Sequence, residues 1–186
     1  MKHPINEIFY SIQGEGYWTG IPAVFIRFAG CNLRCSFCDT DFSLNYKLDS
    51  KNILNRIKKY PSDDIVITGG EPSLHDINNL IGTLHHENKF VQVETNGYNY
   101  QNIRNADWIT FSPKDNDLKI IHYADELKII YTGQDLTFWE GNLYSHNYLQ
   151  PCEMHGKMNI KQTINYIKKN PTWRLSLQCQ KLIKIK

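Results

Sequence analysis

The feature that most constrains the fold is an alternation of short apolar segments with amphipathic ones. Residues 23–28 (AVFIRF) are rich in β-branched and aromatic side chains and are followed by Gly30, so they predict a strand. Residues 64–68 (DIVIT) predict a second strand, which Gly69 and Gly70 end. Further strands are predicted at 90–94, 108–111, 127–131, 147–149 and 174–177.

Three amphipathic segments lie between these strands and predict helices. The first covers residues 50–60, the second is expected to be capped by Asp76, and the third begins near Ile160. Their apolar positions, at helical spacing, are Ile53, Leu54 and Ile57, then Ile77, Leu80, Ile81 and Leu84, then Ile160, Ile164 and Ile167. Residues 115–123 are expected to form a loop. Strands that alternate with helices are typical of parallel βαβ units.

Chain length limits how many such units can form. A complete eight-unit α/β barrel needs about 250 residues, and this chain has 186. We therefore expect one domain spanning 1–186 with an α/β fold, built as an incomplete TIM-like (β/α)6 barrel. In such folds the carboxyl ends of the strands carry the chemistry.

Composition excludes several classes of function. The net charge is +2 and no basic stripe interleaves with aromatic residues, so nucleic-acid binding is not expected. No apolar stretch approaches the roughly 20 residues that a membrane span requires. Residues 1–10 lack the pattern of a signal peptide, so a cytoplasmic location is expected.

Three of the five cysteines fall within residues 31–38 (CNLRCSFC). An odd number and this clustering argue against a disulfide framework and favour a metal site in a reducing compartment. The thiolates of Cys31, Cys35 and Cys38 suit three irons of a 4Fe–4S cluster, and the fourth iron would stay open to a ligand. The alternative is a zinc site completed by a histidine, by Cys152 or by Cys179.

The spacing Cys-x-x-x-Cys-x-x-Cys, with Phe37 before the last cysteine, resembles the signature of the radical S-adenosylmethionine (SAM) superfamily. That resemblance implies a 4Fe–4S cluster whose open iron is chelated by the amino and carboxylate groups of SAM. It also implies that reductive cleavage of SAM yields a 5′-deoxyadenosyl radical. A second segment, 68–72 (TGGEP), resembles the glycine-rich loop that binds the methionine end of SAM in this superfamily.

Other segments resemble the 7-carboxy-7-deazaguanine synthases and follow the order of that family. They are 7–16 (EIFYSIQGEG), 20–30 (GIPAVFIRFAG), 38–40 (CDT), 93–97 (VETNG), 112–114 (SPK), 127–128 (LK), 149–151 (LQP) and 175–178 (LSLQ). The implied radical SAM lyase converts 6-carboxy-5,6,7,8-tetrahydropterin to 7-carboxy-7-deazaguanine with loss of ammonia, on the route to 7-deazapurines such as queuosine. SAM would be regenerated, and therefore act as a cofactor.

The resemblance also implies which residues form the site. The residues expected to bind SAM are Phe37, Cys38, Asp39, Gly70, Glu71, Ser112, Pro113, Lys114, Gln150, Pro151, Cys152 and Glu153. Those expected to bind the pterin are Ile12, Gln13, Gly14, Arg27, Thr68 and Lys186. The planar guanidinium of Arg27 suits the substrate carboxylate, although a strand arginine that simply faces outward is the alternative.

Thr40 is expected to give a hydroxyl ligand to Mg²⁺, an ion that commonly takes few protein ligands. A threonine in a turn after Asp39 is the alternative interpretation. Glu94 is kept outside the set, since it fits a structural carboxylate equally well.

The same resemblance implies an electron donor such as flavodoxin or ferredoxin and a homodimer. Two other functions remain open at this point. A radical SAM activase of a glycyl-radical enzyme would share the cysteines and the GGEP loop, but would lack the Gln-Gly-Glu-Gly segment and Arg27. A non-catalytic zinc or iron–sulfur binding module is the second. Cys179-Gln180 also departs from the Thr-His expected in many relatives.

Overall fold

The computed structural model describes residues 1–114, 123–154 and 156–186, so most of the loop predicted at 115–123 lies outside the described residues. A nine-stranded sheet runs through the molecule in the order β11-β8-β7-β6-β5-β4-β2-β1-β3. Its strands are β1 (Lys2–Ile12), β2 (Pro22–Phe28), β3 (Tyr46–Asp49), β4 (Asp64–Gly69), β5 (Phe90–Thr95), β6 (Trp108–Phe111), β7 (Glu126–Tyr131), β8 (His146–Pro151) and β11 (Arg174–Leu175). β9 (Glu153–Met154) and β10 (Lys157–Met158) form a separate hairpin.

Every neighbouring pair from β2 to β11 in this order is parallel. The sheet ends at β11 on one side and at β3 on the other, so it does not close on itself. This arrangement confirms the predicted α/β fold of the partial-barrel type. β1 was not predicted; it pairs antiparallel with β2 and with β3 and extends the sheet beyond the parallel strands.

The parallel strands are buried on both faces, as their continuous apolar runs require. In β4, Ile65 and Ile67 belong to the main core, whereas Val66 packs on the opposite face with Ala23 and Phe25. The helices that cover the main core are α1 (Ser50–Ile57) and α2 (Asn78–His85). Shorter or later helices are α3 (Thr137–Glu140), α4 (Ile160–Lys169) and α5 (Cys179–Leu182).

All three predicted helices exist, but two of their bounds differ from the prediction. α1 ends at Ile57 and not at residue 60, because Tyr60 precedes Pro61 and a residue before proline avoids the helical region. α2 begins at Asn78, so Asp76 lies one residue before the N-cap position; its carboxylate still accepts the backbone N–H of Asn78 at 3.1 Å. The strand predicted at 174–177 is limited to Arg174–Leu175.

The topology decides where the motifs lie. The cysteine loop follows β2, the GGEP loop follows β4, and residues 96–97 and 112–114 follow β5 and β6. Because the carboxyl ends of parallel strands meet at one edge of a sheet, these segments converge there. Among the described residues, no helix combines the length and the apolar character that crossing a bilayer demands.

Candidate active site

A cavity of about 870 Å³ opens where these loops converge. Most of the residues expected to bind SAM, substrate or Mg²⁺ line it: Ile12, Gln13, Gly14, Arg27, Cys31, Cys35, Phe37, Cys38, Asp39, Thr40, Thr68, Gly70, Glu71, Ser112, Lys114, Gln150 and Lys186. An adjoining cavity of about 550 Å³ shares four of these residues, Phe37, Cys38, Asp39 and Gln150, and adds Pro151, Cys152 and Glu153. Pro113 lines neither of these two cavities.

The three cysteines of the cysteine loop line the cavity. The backbone N–H of Cys38 donates to the carbonyl of Cys35 at 3.1 Å, and the N–H of Leu33 donates to Cys31 Sγ at 3.4 Å. Within the described ranges, no three His, Cys, Asp or Glu side chains are grouped to hold a single metal ion. Cluster cysteines each bond a different iron, so three soft thiol donors on one short loop fit a cubane cluster.

The GGEP loop lies against the start of the cysteine loop. A Cβ built on Gly70 would stand 1.9 Å from the carbonyl oxygen of Gly30 and 3.1 Å from Cys31 Cβ. The backbone N–H of Glu71 donates to the same Gly30 carbonyl at 2.9 Å. Only glycine allows this approach, so the second glycine of the motif fixes the distance between the two loops.

The carboxylate of Glu71 bonds within the protein. It accepts the backbone N–H of Ser73 at 2.8 Å, the hydroxyl of Thr95 at 2.6 Å and the backbone N–H of Asn96 at 2.6 Å. The side chain is almost fully buried. Its evident role is to tie the loop after β4 to the loop after β5, and a contact of Glu71 with SAM remains a prediction.

Asn96, placed in this way, reaches the cysteine loop. Its Nδ2 donates to Asn32 Oδ1 at 3.0 Å and lies 4.0 Å from Cys31 Sγ. In the loop after β6, Lys114 Nζ donates to Ser112 Oγ at 2.7 Å. Burial, reinforced by the nearby charge of Lys128, lowers the pKa of Lys114.

Lys128 on β7 is the centre of a buried ionic network that sequence reasoning did not identify. Its Nζ contacts Glu15 Oε2 at 2.7 Å and Glu94 Oε1 at 3.3 Å. Burial disfavours the lysine charge, but Glu15, Glu94 and Glu126 outweigh it and raise the pKa of Lys128 above its usual value. Burial also opposes ionisation of Glu15, yet the charge of Lys128 prevails and lowers the pKa of Glu15 to about 2.

The network extends to segments far apart in the sequence. Glu15 Oε1 accepts the side-chain amides of Gln178 at 3.0 Å and Gln180 at 2.9 Å. Glu94 accepts Gln13 Nε2 at 3.1 Å and the hydroxyl of Thr68 at 3.3 Å. We call these seven residues the Lys128 network. Glu94, which the sequence left unassigned, therefore joins two predicted substrate residues at the cavity wall.

Arg27 lies opposite Glu7 in the antiparallel pairing of β1 with β2, and its Nε contacts Glu7 Oε1 at 3.0 Å. Glu7 Oε2 contacts Lys186 Nζ at 2.5 Å. Burial works to raise the pKa of Glu7, but the hydrogen bonds from Lys186 and Arg27 outweigh it and lower the pKa. All three side chains line the main cavity.

Lys181 lies at the boundary between the two cavities and lines both of them. Its Nζ contacts Asp39 Oδ2 at 2.6 Å and Glu153 Oε2 at 3.0 Å. Thr40 Oγ1 lies beside Asp39 Oδ1 at 3.4 Å. Cys152 is buried, and burial raises the pKa of its thiol, which makes a reactive thiolate unfavourable there.

Sequence reasoning missed Glu7, Glu94, Asn96 and Lys128 as members of the site. For Lys128 a signal was present, since a lysine in the apolar run LKII of a buried parallel strand requires a charged partner. For Glu7 the partner became evident only once the register of β1 against β2 was known.

The chain resembles known proteins at three levels: a family model, full-length sequences and a solved structure. The Radical SAM superfamily model matches residues 25–170. The 7-carboxy-7-deazaguanine synthase of Bacteroides thetaiotaomicron is 46% identical over 186 residues, covering 100% of both chains. The enzyme of the same name from Neisseria meningitidis serogroup B is 40% identical over 97% of this chain and 92% of its own. The crystal structure of QueE from Escherichia coli matches with a TM-score of 0.79 and 29% identity, over 96% of this chain and 95% of that one.

Proposed function

The chain belongs to the family of 7-carboxy-7-deazaguanine synthases within the radical SAM superfamily, and we propose that its main cavity holds the site of that family's reaction. The protein is a radical SAM lyase of queuosine-type 7-deazapurine biosynthesis. Its reaction converts 6-carboxy-5,6,7,8-tetrahydropterin to 7-carboxy-7-deazaguanine with loss of ammonia. The observation that carries the residue assignment is that one cavity is lined by the three clustered cysteines together with Gln13, Arg27 and Thr68.

The cofactors are a 4Fe–4S cluster and SAM, and together they supply the 5′-deoxyadenosyl radical that begins the reaction. Cys31, Cys35 and Cys38 would hold the cluster. Gly70 sets the spacing between the cluster loop and the loop of Glu71, where the methionine end of SAM is expected. Phe37, Asp39 and residues 112–114 and 150–153 would hold the rest of SAM, since all of these except Pro113 line one of the two adjoining cavities.

The substrate would occupy the side of the cavity bounded by β1 and β2. Arg27 presents a planar pair of donors that matches a carboxylate. Backbone and amide groups of Ile12, Gln13 and Gly14, with the hydroxyl of Thr68, would contact the pterin ring. Glu94 and Lys128 hold Gln13 and Thr68 in place through the bonds described above, which limits the orientations that the ring can adopt.

Five further assignments are part of the proposal. Thr40 would supply one oxygen ligand to Mg²⁺, with water and substrate oxygens completing the shell. An external one-electron donor such as flavodoxin or ferredoxin would reduce the cluster, and the enzyme would act as a homodimer. The cytoplasm is its expected location, because three cysteines clustered on one loop favour a metal site in a reducing compartment. The continuous nine-stranded sheet supports a single domain over 1–186.

The two other functions considered from the sequence are less well supported. A glycyl-radical activase has no need of the Gln13 and Arg27 side of the cavity. A zinc module would require a fourth ligand near the cysteine loop, and no such group of side chains is found among the described residues.

Anaerobic reconstitution tests the function directly. The protein is supplied with iron, sulfide, dithionite, SAM, Mg²⁺ and 6-carboxy-5,6,7,8-tetrahydropterin, and product is measured by mass spectrometry. We expect 7-carboxy-7-deazaguanine to accumulate with no net loss of SAM. An intact pterin in the presence of bound SAM would contradict the proposal.

A further inference from the structure

Lys186 is held by three alternate residues of β1. Glu7 Oε2 contacts its ammonium at 2.5 Å, the ring centroid of Phe9 lies 4.8 Å from the same nitrogen, and Ser11 Oγ donates to its backbone carbonyl at 2.5 Å. Residues two apart on a strand share one face, so Glu7, Phe9 and Ser11 form one continuous surface. We call these four residues with Arg27 the Glu7 corner.

The corner contains two cations for one side-chain carboxylate. Arg27 Nε and Lys186 Nζ bond different oxygens of Glu7, and both cations also lie near the ring of Phe9, with Arg27 Cζ 5.7 Å from its centroid. Phe9 itself stacks on Phe25 at 4.9 Å, which fixes the ring. The three charged side chains therefore carry one net positive charge at the wall of the cavity.

This charge balance matters for a substrate that carries a carboxylate. With Arg27 and Glu7 alone, the pair would be neutral, and an incoming carboxylate would compete with Glu7 for the guanidinium while being repelled by it. With Lys186 present, Glu7 keeps a cationic partner when Arg27 turns to another anion. The charge of Lys186 thus compensates the carboxylate of Glu7, which opposes binding of a second carboxylate at Arg27.

We propose that Lys186 is a positioning and specificity residue, which neutralises Glu7 through its ε-ammonium and so leaves Arg27 free to bind the carboxylate of the pterin substrate. The inference rests on the function proposed above and deepens it. It assigns selectivity for carboxylated over uncarboxylated pterins to three side chains, namely Glu7, Arg27 and Lys186, and not to Arg27 alone.

The experiment is a double-mutant cycle read by binding. The full-length protein, reconstituted with its cluster and supplied with SAM, is titrated with 6-carboxypterin and with unsubstituted pterin, and dissociation constants are measured from pterin fluorescence. Lys186→Met is expected to weaken 6-carboxypterin binding about fivefold, the upper range for a partly exposed ion pair, and to leave pterin binding unchanged. Lys184→Met, which changes a lysine that does not line the cavity, is the matched control and should match the wild type.

The effect of Lys186→Met is also measured in the Glu7→Gln background. This comparison distinguishes neutralisation of Glu7 from a purely structural effect of the Lys186 contacts. Once Glu7 is neutral, it needs no counter-ion, so Glu7→Gln/Lys186→Met should bind 6-carboxypterin as Glu7→Gln does. Equal losses in both backgrounds, or an equal loss for pterin, would overturn the inference while leaving the proposed function intact. A wild type that shows no preference for 6-carboxypterin over pterin would overturn the inference together with the proposed substrate.

Discussion

The two walls of the cavity are built by different kinds of interaction. The cluster wall comprises the loops after β2, β4, β5 and β6, and each of its main contacts involves a backbone group: Gly70 touches the Gly30 carbonyl, and the Glu71 carboxylate accepts the backbone N–H of Asn96. The substrate wall comprises β1, residues 13–16 and residues 176–186, together with Arg27, Glu94 and Lys128, and charged or amide side chains join its parts. Glu15 and Gln178 are 163 residues apart in sequence, and Glu15 and Lys128 are 113 apart.

This difference suits the two walls to different tasks, namely fixing distances in the cluster wall and fixing orientation in the substrate wall. Contacts between loops of neighbouring strands fix distances through shape, which suits a cluster and a cofactor whose geometry does not vary. Networks of charged side chains fix orientation through electrostatics, and a single substitution can retune them. Substitutions in the cluster wall should therefore act through ligation or steric clash, and those in the substrate wall through uncompensated charge.

The largest effect is expected for Cys35→Ser. A serine oxygen is a hard ligand that replaces a soft thiolate poorly, so the cluster should fail to assemble and product formation should vanish. Iron and sulfide content, with the visible absorbance of the anaerobic protein, measure the loss. Cys179→Ser, a cysteine outside both cavities, should retain a full cluster; equal iron loss in both variants would contradict the assignment of the cluster to the 31–38 loop.

Lys128→Met should have the next largest effect and tests the substrate wall. Removing one partner of a buried ionic network costs about 3–5 kcal/mol, because the remaining charges lack compensation. Urea unfolding at neutral pH measures this change. Lys58→Met, which removes a lysine from an exposed pair with Glu87, is the control and should cost less than about 1 kcal/mol. Similar losses of unfolding free energy in both variants would show that the Lys128 network stabilises the fold no more than an exposed ion pair does.

The pH dependence of stability should also change sign in Lys128→Met. In the wild type the pKa of Glu15 is lowered from 4.5 to about 2, so its stabilising contribution is complete above pH 4.5 and is lost as the pH falls towards 2. Without Lys128, burial dominates and raises the pKa of Glu15, so protonation should then stabilise the variant. Unfolding free energies measured from pH 7 to 2.5 would disprove this if they fell in parallel for both proteins.

Gly70→Ala should have a smaller effect on stability and tests the cluster wall. Its methyl group would collide with the Gly30 carbonyl, and overpacking of this kind costs about 1–3 kcal/mol. SAM affinity of the reconstituted protein should fall as well, because the two loops must move apart. In Gly82→Ala the new methyl meets no atom within 4 Å, and stability should rise by about 0.5–1 kcal/mol since alanine favours the helix. A Gly70→Ala protein as stable as the wild type would contradict the close approach.

Lys181→Met should have the smallest effect. Its ammonium joins Asp39 to Glu153 at the boundary of the two cavities, but the side chain is 32% exposed, so the pair contributes less than about 1 kcal/mol. We expect SAM affinity to fall only two- to fivefold with no change in cluster content. A complete loss of SAM binding would show that the boundary belongs to the core of the cofactor site.

Much of this protein follows from local sequence. Residues 23–28, 64–68 and 90–94 form strands because their apolar, β-branched side chains suit a sheet buried on both faces, and glycines end two of them. The 31–38 and 68–72 segments could be placed at one edge because each follows a parallel strand. Their contact needed only that β2 and β4 be neighbours, which βαβ connections favour.

The substrate wall could not be derived in this way. β1 precedes the alternating strands and helices, so that alternation does not predict it. Only its register against β2 places Glu7 opposite Arg27. Glu94 and Lys128 lie on different strands, and their meeting with Glu15 depends on the order of the strands and on the path of residues 13–16 through the structure. Periodicity and spacing report neighbours along the chain and so predicted the strands and the ligand loops. Which distant charges pair depends on the tertiary contacts of the whole fold, so only the folded structure decided it.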